Sequence, residues 1–277
     1  MSGRLRQVAA DNERIVAEGS YSAADGTAVE VGAVLRAAVA GTVSHPPDGP
    51  LDRPAAGAYR TVFEVTGESS LQAARRLHRE GAAGIAVLNF ASARNPGGGY
   101  LGGAKAQEED LCRHALLYPC LLQAPDYYAA HRASPDLLYS HRVIWSPGVP
   151  VHRDEGGRLL AEPFLVSFLT CPAPNAGQVL RRDPGAGEQI RQALHERAGR
   201  VLAVAAHHGA RALVLGAWGC GVFRNDPREV AGAFHTHLAG GGAFAAVFER
   251  VVFAVWDRMP DSANRAAFAE RFPTSRT

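Results

Sequence analysis

Two short apolar runs, GIAVLNF (84–90) and ALVLGAW (212–218), constrain this chain more than any other feature. Both read as strands, and GIAVLNF has the continuity expected when helices cover both faces of a sheet. Each run leads into glycine-rich sequence and then into a helical pattern. PFLVSFLTC (163–171) reads as another buried strand, and TVFEV (61–65) and RVVFAVWD (250–257) as two more. Helical patterns cover about 69–80, 107–122, 186–208, 227–239 and 263–271, with Thr66 or Ser69 placed to cap the first. VIWSPGVPVHRDEGGRLL alternates strand and turn. This order predicts an α/β fold with three layers, a mixed sheet flanked by helices.

The start of the chain is different. Leu5, Val8, Ala9, Ile15 and Val16 recur at helical spacing before Gly19, and a second helix is expected over about 28–39. Residues 41–58 are rich in proline and glycine and read as a loop. Residues 1–58 are thus expected to form a helical extension packed on a core domain of residues 59–277.

Charge narrows the ligand class. Lys and Arg number 29 against 27 Asp and Glu, so bulk charge drives neither nucleic-acid nor membrane binding. A monomer is expected, though no feature of the sequence fixes the oligomeric state. An anionic ligand would need a local site. No apolar run reaches the roughly 18 residues of a membrane span, and the opening residues lack a signal-peptide core, which points to the cytoplasm. Cys112, Cys120, Cys171 and Cys220 form neither a CxxC pair nor a zinc pattern. His207–His208 and His235–His237 sit in or near helical patterns as surface or core histidines. No metal and no cofactor are expected.

In layered α/β folds, ligands sit at the carboxyl ends of strands. One such loop runs from Asn89 to Gly103, with Gly97, Gly98, Gly99, Gly102 and Gly103 giving five glycines in seven positions. Backbone without side chains can approach an anion closely, and this loop enters a helix N-terminus. It matches neither a Walker loop nor a dinucleotide fingerprint, so alone it also fits a flexible surface loop. The other loop, GAWGCGVFRNDP (216–227), again joins a strand to a helix, with Asp226 and Pro227 at N-cap and N1. Two such loops can clamp a diphosphate from both sides. Phe223 can cover a sugar or base, or simply pack in the core. Gln107-Glu108-Glu109-Asp110 adds acids at a helix start, where the macrodipole favours them whatever their function.

Gly97-Gly98-Gly99, seven intervening residues and Gln107-Glu108-Glu109 resemble the GGG…QEE signature of poly(ADP-ribose) glycohydrolases. GAWGCGVFRNDP looks like the diphosphate loop of their bacterial branch. VAADNERIVAEGSY, FEVTGESSLQAARRL, SPGVPVHRD, TCPAPN and FAVWDR extend the likeness along nearly the whole chain. Gly67 departs from it, replacing a frequent asparagine. The resemblance implies a macrodomain-like fold, a catalytic domain over 59–277, and poly(ADP-ribose) and ADP-ribose as ligands, with ADP-ribosylated proteins as substrates. It implies no direct nucleic-acid or membrane contact.

The resemblance also implies residue roles. Glu109 would protonate the ribose 2′ oxygen and then activate water. Glu108 would hold the ribose hydroxyls, helped by Gln107, and Asn95 would contact the distal ribose. Gly98, Gly99, Gly219, Gly221 and Val222 would offer backbone to the diphosphate, beside Gly97 and Phe223. By position alone, Phe90 and Trp256 stand at strand ends and read equally as neighbours of the adenine or as core residues. Rival readings are a non-catalytic ADP-ribose reader, a hydrolase of single ADP-ribose units, and a metal-dependent nucleotide-sugar phosphatase.

Overall fold

The computed structural model describes residues 2–52, 57, 59–257, 259 and 261–273. The chain opens with α1 (Ser2–Glu18), β1 (Ser20–Ser22), β2 (Ala28–Glu30), α2 (Gly32–Ala40) and β3 (Val43–His45). Then come β4 (Val62–Thr66), α3 (Ser70–Arg79), β5 (Ile85–Phe90), α4 (Gln107–His114), α5 (Tyr118–Leu121) and α6 (Pro125–Ala133). The remainder is β6 (Val143–Arg153), β7 (Leu159–Cys171), α7 (Ala176–Arg182), α8 (Gly187–His207), β8 (Ala212–Leu215), α9 (Pro227–Leu238), β9 (Arg250–Ala254) and α10 (Ala263–Arg271).

Seven strands form one mixed sheet in the order β3-β6-β7-β5-β8-β9-β4. β6 pairs antiparallel with both neighbours, and the other pairings are parallel. The central strands are buried on both faces, as the apolar runs require. In β5, Ala86 and Leu88 pack with Leu202, Phe234 and Phe268 on one side. Ile85 and Val87 pack with Leu77, Leu111 and Tyr127 on the other. Each of the larger aliphatic and aromatic side chains removed from water contributes about 2 kcal/mol. A smaller cluster of Ile15, Val29, Leu35 and Leu116 seats the N-terminal elements.

Several sequence expectations need correction. The helix read over 28–39 begins only at Gly32, because residues 28–30 pair with 20–22 in a hairpin. Its turn uses Gly26 at φ +87° and the Asp25 carboxylate, which accepts from the Thr27 amide. The loop read over 41–58 contains β3, which pairs with β6 and forms an edge of the sheet. The boundary placed between residues 58 and 59 abuts residue 58, which lies outside the described residues. The helix read over 107–122 stops at His114, because Ala115 bridges to Val151 and the Leu116 amide donates to the Pro150 carbonyl. Within VIWSPGVPVHRDEGGRLL the first eleven residues are one bulged strand, β6, with register shifts between Ser146 and Val149 and between Val151 and Arg153, and a turn then leads into β7 at Leu159. ALVLGAW leaves the sheet after Leu215. Ser69, not Thr66, caps α3, in a reciprocal capping box with Gln72.

β5 lies between β7 and β8, so the loops leaving Phe90, Cys171 and Leu215 emerge side by side at the same end of the sheet.

Candidate active site

The site begins where β5 hands over to the glycine loop. Gln107, the first residue of α4, accepts from the Phe90 amide (2.9 Å) and donates to the Leu88 carbonyl (2.9 Å) and Ser70 Oγ (3.0 Å). Its amide is thereby occupied in fastening the helix start to the strand end. Both of its donor hydrogens are used in this fastening, which holds Glu108 and Glu109 at the start of the helix.

Glu108 is 2% exposed and held at both oxygens. Oε1 accepts from Asn89 Nδ2 (3.2 Å), and Oε2 accepts from the Ser92 amide (2.7 Å). Asn89 is itself anchored by donation to Thr170 Oγ1 (3.1 Å). Burial pushes the Glu108 carboxyl up to about 8, the Ser92 and Asn89 hydrogen bonds pull it back, and the Glu109 charge raises it further.

Glu109 is held differently. Oε1 accepts from the Gly99 amide (2.8 Å), while Oε2 is buried with no hydrogen-bond partner among the described residues. One carboxyl group is clamped and the other keeps an oxygen free for chemistry. Helical geometry puts neighbouring residues about 100° apart, so the two draw on different donors.

Gly98 closes over both acids. Its φ is +57°, and a Cβ there would lie 2.6 Å from Glu109 Oε1 and 3.1 Å from Glu108 Oε2. Only a glycine fits this backbone. Gly97 is also left-handed, at φ +64°, and packs against Tyr118 and Cys112. Asn95 is exposed, and its amide donates to Ser92 Oγ in a local turn.

The far end of α4 is held from a distance. Asn12 of α1, 1% exposed, donates to the carbonyls of Cys112 (3.2 Å) and Arg113 (3.0 Å). Its Oδ1 accepts from His152 Nε2 (2.9 Å) and Arg153 Nε (3.0 Å). The helix carrying the two glutamates is thus fixed at both ends.

In the second loop, Gly219 (φ +71°) is gripped between Ala173 and Asn225, and Asp226 caps α9 with Pro227 in its first turn. The amides of Gly219, Gly221 and Val222 donate to no acceptor among the described residues. Val222 is 84% exposed, and Phe223 is half-buried with its ring 6.1 Å from that of Tyr139. A cleft of about 700 Å3 brings Phe90, Gln107, Gly221 and Trp256 together. Glu108 and Glu109 are not among its lining residues; they lie buried beside Gly98.

Sequence reasoning missed Asn89, Ser92, Thr170 and Asn12. The signal for Asn89 was present: an amide inside a strand covered on both faces must find partners. Its partners lie 19 and 81 residues away, which no local pattern reveals.

A family model described as microbial-type PARG, catalytic domain, matches residues 9–154. No curated protein matches the chain. Among solved structures, poly(ADP-ribose) glycohydrolase from Thermomonospora curvata is 48% identical, with a TM-score of 0.92 over 98% of this chain and 100% of that one. The same enzyme bound to the inhibitor ADP-HPD is 47% identical, with a TM-score of 0.89 over 98% and 100%. The Deinococcus radiodurans enzyme in complex with ADP-ribose is 47% identical, with a TM-score of 0.81 over 87% of this chain and 98% of that one. The seven-stranded mixed sheet flanked by helices agrees with these structures and with the macrodomain-like expectation. The chain belongs to the microbial-type poly(ADP-ribose) glycohydrolase family and is a glycoside hydrolase.

Proposed function

We propose that this enzyme releases ADP-ribose from chain ends of poly(ADP-ribose), with Glu109 as general acid and then general base. The distal ribose lies against Glu108 and Glu109, with the Asn95 side chain beside it. The diphosphate lies along the free amides of Gly219, Gly221 and Val222 and passes beside Gly98 and Gly99, whose own amides donate to the Asn95 carbonyl and Glu109 Oε1. The adenosine occupies the cleft between Phe90 and Trp256. Glu109 gives its proton to the departing 2′ oxygen as the bond from the sugar's C1″ breaks. Water then adds to C1″ and returns a proton to Glu109. Glu108 holds a ribose hydroxyl, and the substrate's own phosphates offset charge developing on the sugar.

The observation that carries this reading is the contrast between the two acids. Both Glu108 oxygens are bound, whereas Glu109 Oε2 is buried and unpartnered next to the glycine loop. Cleavage from chain ends is supported by Leu5 and Val8 of α1, which wall the cleft and suit one terminal unit. The natural substrates are poly(ADP-ribose) chains on modified proteins, met by a monomer in the cytoplasm. No described helix is long and apolar enough to cross a membrane.

The test is Glu109→Gln assayed on automodified polymerase. ADP-ribose affinity should stay within a few-fold while turnover falls by roughly 10³, the scale of lost acid–base catalysis. Wild-type turnover in this variant ends the Glu109 assignment. Early products of the unaltered enzyme should be ADP-ribose monomers, and early oligomers would rule out chain-end cleavage.

A further inference from the structure

Arg197 of α8 is fully buried, which is costly for a guanidinium unless its donors are filled. Nη1 donates to the Pro172 carbonyl (2.9 Å), and Nη2 donates to the carbonyls of Leu138 (2.6 Å) and Tyr139 (2.9 Å). Nε faces His141 Nδ1 at 3.4 Å. The cation therefore ties α8 to two separate loops, the turn before β6 and the segment after β7.

Those loops form the wall behind the second glycine loop. In the segment after β7, Cys171 O accepts from Trp218 Nε1 (3.0 Å), Pro172 O accepts from Arg197, and Pro174 O accepts from Asn225 Nδ2 (2.8 Å). The Asn175 amide donates to Leu137 O (2.9 Å), joining this segment to the turn before β6. In that turn Tyr139 sits at φ +61°, a left-handed conformation that costs a tyrosine energy and persists only when neighbours impose it. Arg197 grips the carbonyl of this same residue. The Tyr139 ring in turn meets Phe223 at 6.1 Å and 44°.

We propose that Arg197 is a positioning residue for substrate: it holds the strained Tyr139 turn and the Pro172 carbonyl as a wall that sets where Phe223 meets the ligand. This rests on the reading of Phe223 as a substrate-contacting ring. Arg197 acts through the grip on ADP-ribose and not through proton transfer, because its contacts reach the Tyr139 turn and the Pro172 segment, which in turn touch Phe223 and Asn225, and not Glu108 or Glu109.

The experiment measures ADP-ribose affinity by calorimetry, and KM and kcat on poly(ADP-ribose), for Arg197→Lys, Tyr139→Gly, Phe223→Ala and the double variants. Lysine keeps the charge but cannot reach both loops at once, and glycine relieves the left-handed strain while deleting the ring that touches Phe223. Arg197→Lys should weaken ADP-ribose binding and raise KM about tenfold, with kcat within about threefold and an unchanged pH profile. Tyr139→Gly should give the same KM rise in a fully folded protein, which keeps the test decisive if Arg197→Lys does not fold. In the Phe223→Ala background neither substitution should raise KM further. A merely structural role would lower the melting temperature and the active fraction while leaving KM at its original value, and that result overturns the proposal. Wild-type KM in Tyr139→Gly overturns it too, as does a full further rise on top of Phe223→Ala. If Phe223→Ala itself binds ADP-ribose normally, the Phe223 reading has failed and the proposal falls with it, whatever Arg197→Lys does to KM.

Discussion

Glu108 should make the empty enzyme less stable than its packing allows, and Glu108→Gln should reveal by how much. Burial raises this carboxyl from an ordinary 4.5 to about 8. A group whose pKa is raised by folding supports the fold fully below the unfolded value, and that support is lost as pH climbs to the folded one. The wild-type enzyme should therefore lose stability between pH 5 and pH 8, by about 3 kcal/mol at roughly 1.4 kcal/mol per tenfold change. The amide variant has no such proton to lose. Its oxygen can accept from the Ser92 amide, and its NH2 can meet Asn89 Oδ1, which is buried without a partner, once the Asn89 amide turns over. Urea melts of both proteins at pH 5 and pH 8, without ligand, give the comparison directly. The variant's advantage should grow by about 3 kcal/mol between the two pH values, or about 6 °C in melting temperature for a chain of this size. Its activity should fall, since the charged or donating carboxyl is gone. An advantage that stays constant from pH 5 to pH 8 would mean that Glu108 keeps one protonation state throughout, and the argument from burial would be wrong.

Two further substitutions probe the supports of the site. Gly98→Ala places a methyl 2.6 Å from Glu109 Oε1 at a left-handed φ, so kcat should drop about a hundredfold, the scale of an ångström-sized misplacement. Unchanged kcat would show that the loop yields freely. Asn12→Ala strips hydrogen bonds from two α4 carbonyls and leaves His152 and Arg153 without their acceptor, so unfolding free energy should fall by about 2–4 kcal/mol in a denaturant melt. A loss below about 0.5 kcal/mol would show that α1 does not restrain α4.

Much of the fold was legible because its strongest signals are local. The apolar runs at 84–90 and 163–171 became β5 and β7, and the Ser69 cap and the Asp226-Pro227 start both lie where the sequence placed them. The errors arose where distant pairing overrides local preference. β3 exists only because Val43–His45 meet β6, a hundred residues on, and α4 ends early because residues 115 and 116 turn to bond β6. The hairpin of β1 and β2 was the avoidable miss, since Asp25-Gly26 is a turn signal in its own right. At the site, the glycine loop and the paired glutamates could be read directly. The roles of Asn89, Thr170 and Asn12 could not, because their partners lie up to 141 residues away.

The triple attachment of Gln107 to β5 and Ser70 has a consequence for how such enzymes diverge. The start of α4, with both glutamates, is part of the sheet's own skeleton and moves only if the sheet moves. The second glycine loop stands beyond that skeleton, tied back through Trp218 and Asn225, with Val222 almost wholly bare to solvent. Drift there can change which ligands are admitted without retuning the acids. A descendant can acquire a new appetite and keep an old chemistry.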